Sequence, residues 1–168
     1  MGLMSRNKGR RFEQVVARAL RQRWPGAVVR RASQADRAHR SDVYFEGGPE
    51  LLERLWLELQ DAASPTPEDK LDQATRDCHS AREAMRTAGK RAGEPRLYLP
   101  VVVWHRLRER AAQATMALGT LLDLIGSELR DPRAAHASVD LATVTLDMEE
   151  FLDLLQYVAG EAPGATPW

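Results

Sequence analysis

Residues 41–45 read SDVYF, residues 47–49 read GGP, and residues 55–60 read LWLELQ. The first and last of these segments have the composition of β-strands, and the glycine-rich segment between them is typical of a turn. Leucines in 55–60 alternate with other side chains, which is the two-residue period of a strand. Asp42 would then begin one strand and Glu58 would lie on the next. The pattern therefore predicts two carboxylates on adjoining strands.

A helical alternative exists for residues 50–62, because leucines at 51, 52, 55 and 59 also form a helical stripe and Pro49 suits a helix start. The strict alternation that follows favours at most one helical turn, with a strand from about Arg54. On that interpretation Glu58 and Gln60 point to the same side of the strand.

The remaining patterns predict an α/β fold with a mixed central β-sheet flanked by helices. The length of 168 residues suits one domain, residues 1–160, followed by a flexible tail at 161–168. In chain order we predict helix 9–24, strand 27–31, strand 41–45, strand 54–60, helix 68–90, strand 97–104, helix 107–125, strand 141–146 and a final helix capped by Asp147.

Charge is distributed unevenly along the chain, although 24 basic and 24 acidic residues cancel overall. Residues 1–40 contain eleven Lys or Arg and two acidic residues, which gives this segment +9 and leaves −9 for the rest. A chain polarised in this way suggests a surface that binds a polyanion.

The single cysteine, Cys78, excludes an internal disulfide and fits a reducing compartment. No apolar run has the length of a membrane span, and no apolar signal-peptide core follows the basic N-terminus. We therefore expect a cytoplasmic protein with no membrane partner. Cys78, His79, His105 and His136 lack the spacing of zinc ligands.

Two carboxylates a few ångströms apart repel each other, so Asp42 and Glu58 would need a cation between them. Ligation by oxygen atoms alone suits Mg²⁺, with Mn²⁺ as the alternative, far better than it suits zinc.

Four segments carry a resemblance to a known family: NKGRRFE at 7–13, VRRAS at 29–33, SDV at 41–43 and LELQ at 57–60. In this order they resemble the PD-(D/E)XK nuclease superfamily, and within it the archaeal-type Holliday junction resolvases and their phage-encoded relatives. The resemblance covers about residues 5–90 and implies a restriction-endonuclease-like fold. Residues 143–157 also fit the family, whereas 105–140 looks like an insertion.

The resemblance implies a role for each acidic residue. Asp42 and Glu58 would be metal ligands, with the carbonyl oxygen of Leu59 as a third. Glu13, on the first helix, would act as a second-shell or second-metal carboxylate. Gln60 would stand at the catalytic position where the family has lysine.

The glutamine at position 60 is the main departure from the family, because it can hydrogen-bond a water but cannot supply positive charge. Lys70, on the next helix, could reach back and substitute, although the sequence alone favours an exposed helix lysine. Gln73 could orient a ligand or phosphate, although here too a surface role is favoured.

Candidate DNA contacts surround the proposed carboxylates. Ser33 belongs to a patch that approaches the DNA backbone in the family, and Ser41 could either donate to a phosphate or simply begin its strand. The basic candidates are Arg6, Lys8, Arg10, Arg11, Arg30, Arg31, Arg37 and Arg40.

Together these expectations predict a Mg²⁺-dependent endonuclease that resolves four-way DNA junctions. We expect it to act as a homodimer, since a junction has two symmetric scissile strands. Two alternatives stay open: a nuclease for other DNA structures, and a catalytically silent DNA-binding relative. The sequence does not distinguish a phage from a cellular origin.

Overall fold

The computed structural model describes residues 3–33, 40–87, 98–107, 109, 111–125 and 142–159, with the side chains of residues 3–8 excepted. The predicted tail at 161–168 lies outside these residues. The elements, in chain order, are α1 (Leu3–Arg23), β1 (Val28–Arg31), β2 (Val43–Glu46), α2 (Glu50–Arg54), β3 (Leu55–Ala62), α3 (Pro67–Thr87), β4 (Leu99–Arg106), β5 (Gln113–Ala117), α4 (Leu118–Leu124), β6 (Thr143–Asp147) and α5 (Met148–Val158).

The six strands form one sheet in the order in which they occur along the chain. Strands β3 and β4 are parallel and the other neighbours are antiparallel, so the sheet is mixed. A parallel pair needs a long crossover connection, and α3 lies within it. The predicted α/β class with a mixed sheet flanked by helices is confirmed.

Helices cover both faces of the sheet. The larger core, on one face, takes side chains from α1, α4 and α5 together with Leu55, Leu57 and Leu59 of β3. On the opposite face, α3 packs through Ala74 and Cys78 against Trp56 of β3. Strand β3 therefore has the predicted alternation, with its leucines toward α1 and with Trp56, Glu58 and Gln60 toward α3.

The turn between β2 and β3 follows the prediction. Gly47 and Gly48 have φ angles of 81° and 116°, which side chains with a Cβ rarely adopt. The single helical turn expected before β3 is α2, Glu50–Arg54, and the strand begins at Leu55.

The predicted helix over 107–125 is wrong. Residues Gln113–Ala117 form β5, which pairs with β4 and β6, and among the described residues of this span only Leu118–Leu124 are helical. Alanine and methionine favour helices in isolation, but Ala114 and Met116 are fully buried inside the sheet. Cross-strand packing here overrides local propensity.

Candidate functional site

The start of β2 and the middle of β3 bring the two predicted carboxylates together. Val43 is paired with Leu57 in antiparallel register, so one step further along the ladder Asp42 lies opposite Glu58. The Asp42 carboxylate accepts a hydrogen bond from the backbone N–H of Leu59 at 3.0 Å. In a β-strand the N–H and C=O of one residue point to the same side, so the carbonyl of Leu59 also faces β2.

Glu58 is a buried carboxylate, only 6% exposed. Its Oε1 accepts a hydrogen bond from the indole N–H of Trp56 at 3.1 Å, and its Oε2 lies 2.9 Å from the ammonium of Lys70. Burial and the negative charge of Asp42 raise the pKa of Glu58, and Lys70 and Trp56 oppose that rise. The charge of Asp42 thus disfavours the ionised form of Glu58.

Lys70 reaches back from the first turn of α3 to this pair. Thr66 accepts a hydrogen bond from the backbone N–H of Lys70 at 3.1 Å, and Pro67 occupies a favoured first position of the helix. The side chain of Lys70 is 22% exposed and also donates to Gln73 at 3.3 Å. The expectation of an exposed helix lysine is wrong, because α3 folds over the face of β3 that carries Glu58.

Gln60 lies on the same side of β3 as Glu58, and the oxygen of its side-chain amide contacts the loop before α3. That oxygen accepts a hydrogen bond from the backbone N–H of Thr66 at 3.0 Å. Gln60 therefore holds the loop that leads into α3. Its side chain supports the helix that presents Lys70.

Glu13 lies on the α1 side of the sheet. It is 6% exposed and accepts two hydrogen bonds from Arg31, at 2.6 Å and 3.0 Å. Arg31 lies two residues after Val29 in β1 and therefore on the same face of the sheet, where Val29 packs in the core beneath α1. The third predicted acid is thus held by an arginine on the opposite face of the sheet from Glu58.

Part of the predicted basic surface lies at the end of the sheet where Asp42 lies. The ring of Phe12 lies 5.9 Å from that of His105, at the end of β4, while Trp24 packs against Phe45 at the other end of β2. The N-terminal half of α1 therefore projects at the edge of the site. Arg10 and Arg11 are exposed there.

The other predicted DNA contacts have different environments. Arg40 is exposed, with its guanidinium 4.5 Å from the centre of the Tyr44 ring, and Ser33 is exposed. Arg30 is paired with Glu46. Ser41 is buried and donates its hydroxyl to the carbonyl of Val43 at 2.7 Å, so it helps to begin β2. The Arg6 and Lys8 side chains, and all of Arg37, lie outside the described residues.

A second polar pair, missed by the sequence analysis, lies at the ends of β3 and β4. Nδ1 of His105 is 3.0 Å from the Asp61 carboxylate, and Nε2 is 2.9 Å from the carbonyl oxygen of Glu109. Both partners are acceptors, so the imidazolium satisfies both contacts. The hydrogen bonds to Asp61 and to the Glu109 carbonyl raise the pKa of His105. The parallel pairing of β3 with β4, which the sequence does not specify, creates this contact.

Within the described residues, no group of three or more His, Cys, Asp and Glu side chains is arranged to hold a metal ion. A cation between Asp42 and Glu58 would therefore be bound by two carboxylates, the carbonyl of Leu59 and water. That donor set fits Mg²⁺, which keeps several waters when it binds to proteins.

No protein-family model, curated protein or solved structure matches this chain. Across the portion of the chain that the structure describes, none of the helices combines the length and the apolar character needed to cross a membrane.

Proposed function

We propose that this protein is a Mg²⁺-dependent DNA endonuclease that hydrolyses phosphodiester bonds in branched DNA, with Mn²⁺ as an alternative cofactor. The observation that carries the proposal is the buried Glu58, placed opposite Asp42 and paired with Lys70 at 2.9 Å. Two acids and one lysine converge near one end of the sheet, and exposed arginines lie at the same end. This combination suits a phosphodiester, which is anionic and needs charge neutralisation during hydrolysis.

Each residue has a defined task in the proposed reaction. A cation bound there would supply Lewis-acid activation of the scissile phosphate and of an attacking water molecule. Asp42 and Glu58 would hold the cation, with the carbonyl of Leu59 as a further ligand. Lys70 supplies the positive charge that Gln60 cannot, and it stabilises the negative charge that develops on the phosphate oxygens.

The substrate class follows from charge and symmetry. The exposed Arg10, Arg11 and Arg40 would contact DNA phosphates at the end of the sheet where the acids lie. The resemblance to Holliday junction resolvases favours a four-way junction cleaved by a homodimer, because each of two symmetric strands then meets one site. Simple duplex or flap DNA are alternative substrates.

The silent DNA-binding protein is a second candidate, and Gln60 is the observation that favours it. The position of Lys70 argues for the active enzyme, because a lysine from α3 occupies the neighbourhood that Gln60 leaves uncharged.

A cleavage assay tests the proposal. End-labelled synthetic four-way junctions and duplexes of matched sequence would be incubated with the protein, with Mg²⁺ or with EDTA. We expect Mg²⁺-dependent cleavage of the junction, lost in Asp42→Asn and Glu58→Gln, with DNA binding retained. Asp72→Asn, an exposed acid on α3, is the charge-matched control. Binding without cleavage by the unmodified protein would support the silent alternative, and equal cleavage by all variants would refute the site.

A further inference from the structure

The side chain of Lys70 has a second partner, Gln73, in addition to Glu58. Lysine has a flexible four-carbon stem, and holding its ammonium in one place costs conformational entropy. If Glu58 also binds a cation, its attraction for Lys70 weakens. Another acceptor is then needed to keep the ammonium at the site.

The structure contains such an acceptor on the same helix. Lys70 Nζ donates to Gln73 Oε1 at 3.3 Å, three residues further along α3. Gln73 Nε2 in turn donates to the Asp77 carboxylate at 3.4 Å, four residues further on. Residues three and four apart lie on one side of a helix, so the three side chains form a row that leads to Glu58.

The direction of this row is fixed by the chemistry of the amide group. An amide has an oxygen that only accepts and a nitrogen that only donates. Asp77 can only accept when ionised, so it selects the orientation in which the Gln73 nitrogen faces it. The oxygen of Gln73 must then face Lys70, whose ammonium can only donate.

We infer that Gln73 is a positioning residue that holds the ammonium of Lys70 beside Glu58, and that Asp77 fixes the orientation of the Gln73 amide. This inference rests on the proposed function, because it identifies the residues that position Lys70 in the proposed nuclease site. It gives Gln73 a role at the site in place of the surface role that the sequence favoured.

The first test is kinetic. Gln73→Met keeps the length of the side chain and removes the amide, so we expect the turnover number on junction DNA to fall about three- to tenfold, as for the loss of one hydrogen bond of ordinary net strength. The KM should not change, because Gln73 acts through Lys70. Asp77→Ala should have a similar effect, whereas Asp77→Asn retains an acceptor oxygen and should restore most of the activity. Asp72→Ala is the control.

Coupling to Lys70 separates positioning from a general structural effect. In a Lys70→Met background, Gln73→Met should cause no further loss of turnover. A similar loss in both backgrounds, or no loss in either, would overturn the inference while leaving the proposed nuclease intact.

A second test does not need cleavage. The rate at which acetic anhydride modifies Lys70 is measured by peptide mass spectrometry and normalised to Lys90. We expect a rise of about threefold in Gln73→Met and Asp77→Ala, since one hydrogen bond to the amine is lost, with no rise in Asp77→Asn. An unchanged rate in Gln73→Met refutes the contact. Inactivity of the unmodified protein together with the expected modification pattern refutes only the proposed function.

Discussion

Replacement of Lys70 by methionine should destabilise the protein through Glu58. The two groups are 2.9 Å apart, with side-chain exposures of 22% for Lys70 and 9% for Glu58. At an effective dielectric constant of about 20, two unit charges at that separation attract each other by about 6 kcal/mol before desolvation is subtracted. Breaking a buried pair by removing one partner typically costs about 3–5 kcal/mol. Because Lys70 is partly exposed and the Trp56 N–H remains, we expect a loss of about 2–3 kcal/mol.

The pH dependence provides a check on this mechanism. The pKa of Glu58 is already raised, and loss of Lys70 should raise it further. A raised folded-state pKa favours folding at low pH, and that stability is lost as the pH rises through the folded value. The loss of stability in Lys70→Met should therefore be large at about pH 8, where an unpaired Glu58 must ionise, and small at about pH 5, close to the ordinary pKa of a glutamate.

Urea unfolding in EDTA, monitored by tryptophan fluorescence at each pH, measures the free energy of unfolding and its pH dependence. The double variant Glu58→Gln/Lys70→Met removes both charges and should recover most of the lost stability, because the amide oxygen introduced by Glu58→Gln can still accept from Trp56. A loss below about 0.5 kcal/mol in Lys70→Met at both pH values, which is the range of ordinary surface substitutions, would refute the buried pair.

Three further predictions concern other groups. Gln60→Lys should slow DNA cleavage about tenfold or more, because a second cation beside Lys70 would compete with the metal; faster cleavage would mean that Lys70 does not fill the cationic role. Since Asp61 raises the pKa of His105, the stability that His105 contributes should be complete below about pH 6.5 and be lost as the pH rises through the folded value. His105→Asn should therefore flatten this part of the pH–stability curve, and an unchanged slope would contradict it. Arg40→Ala should weaken DNA binding and reduce the salt dependence by about one counterion, measured by titration across salt concentrations.

Most of the fold could be predicted from the sequence because its elements follow their own periodicities. The alternation of leucines in β3 determined which side chains share a face, and Gly47 and Gly48 marked the turn. Strand β5 could not be predicted in this way, since Ala114 and Met116 become strand residues only through pairing with β4 and β6. Local propensity contains no information about those partners.

In the candidate site, the proximity of the two acids could be predicted from the sequence, whereas the contact of the lysine could not. Asp42 and Glu58 meet through an antiparallel register that the turn between their strands specifies. The contact of Lys70 with Glu58 depends instead on how α3 crosses the sheet, and that is set by packing against Trp56 and its neighbours. A signal did exist, because Lys70 stands in the first turn of the helix that follows β3 after a short loop.

Trp56 belongs both to the packing of α3 and to the surroundings of Glu58. Its ring lies beneath Ala74 and Cys78, and its N–H donates to the Glu58 carboxylate. A local opening that lifts α3 from the sheet would remove Lys70 and loosen the indole in a single event. The helix and the carboxylate should therefore open as one cooperative unit, so the slowest-exchanging backbone amides of α3 would report how long the site stays assembled.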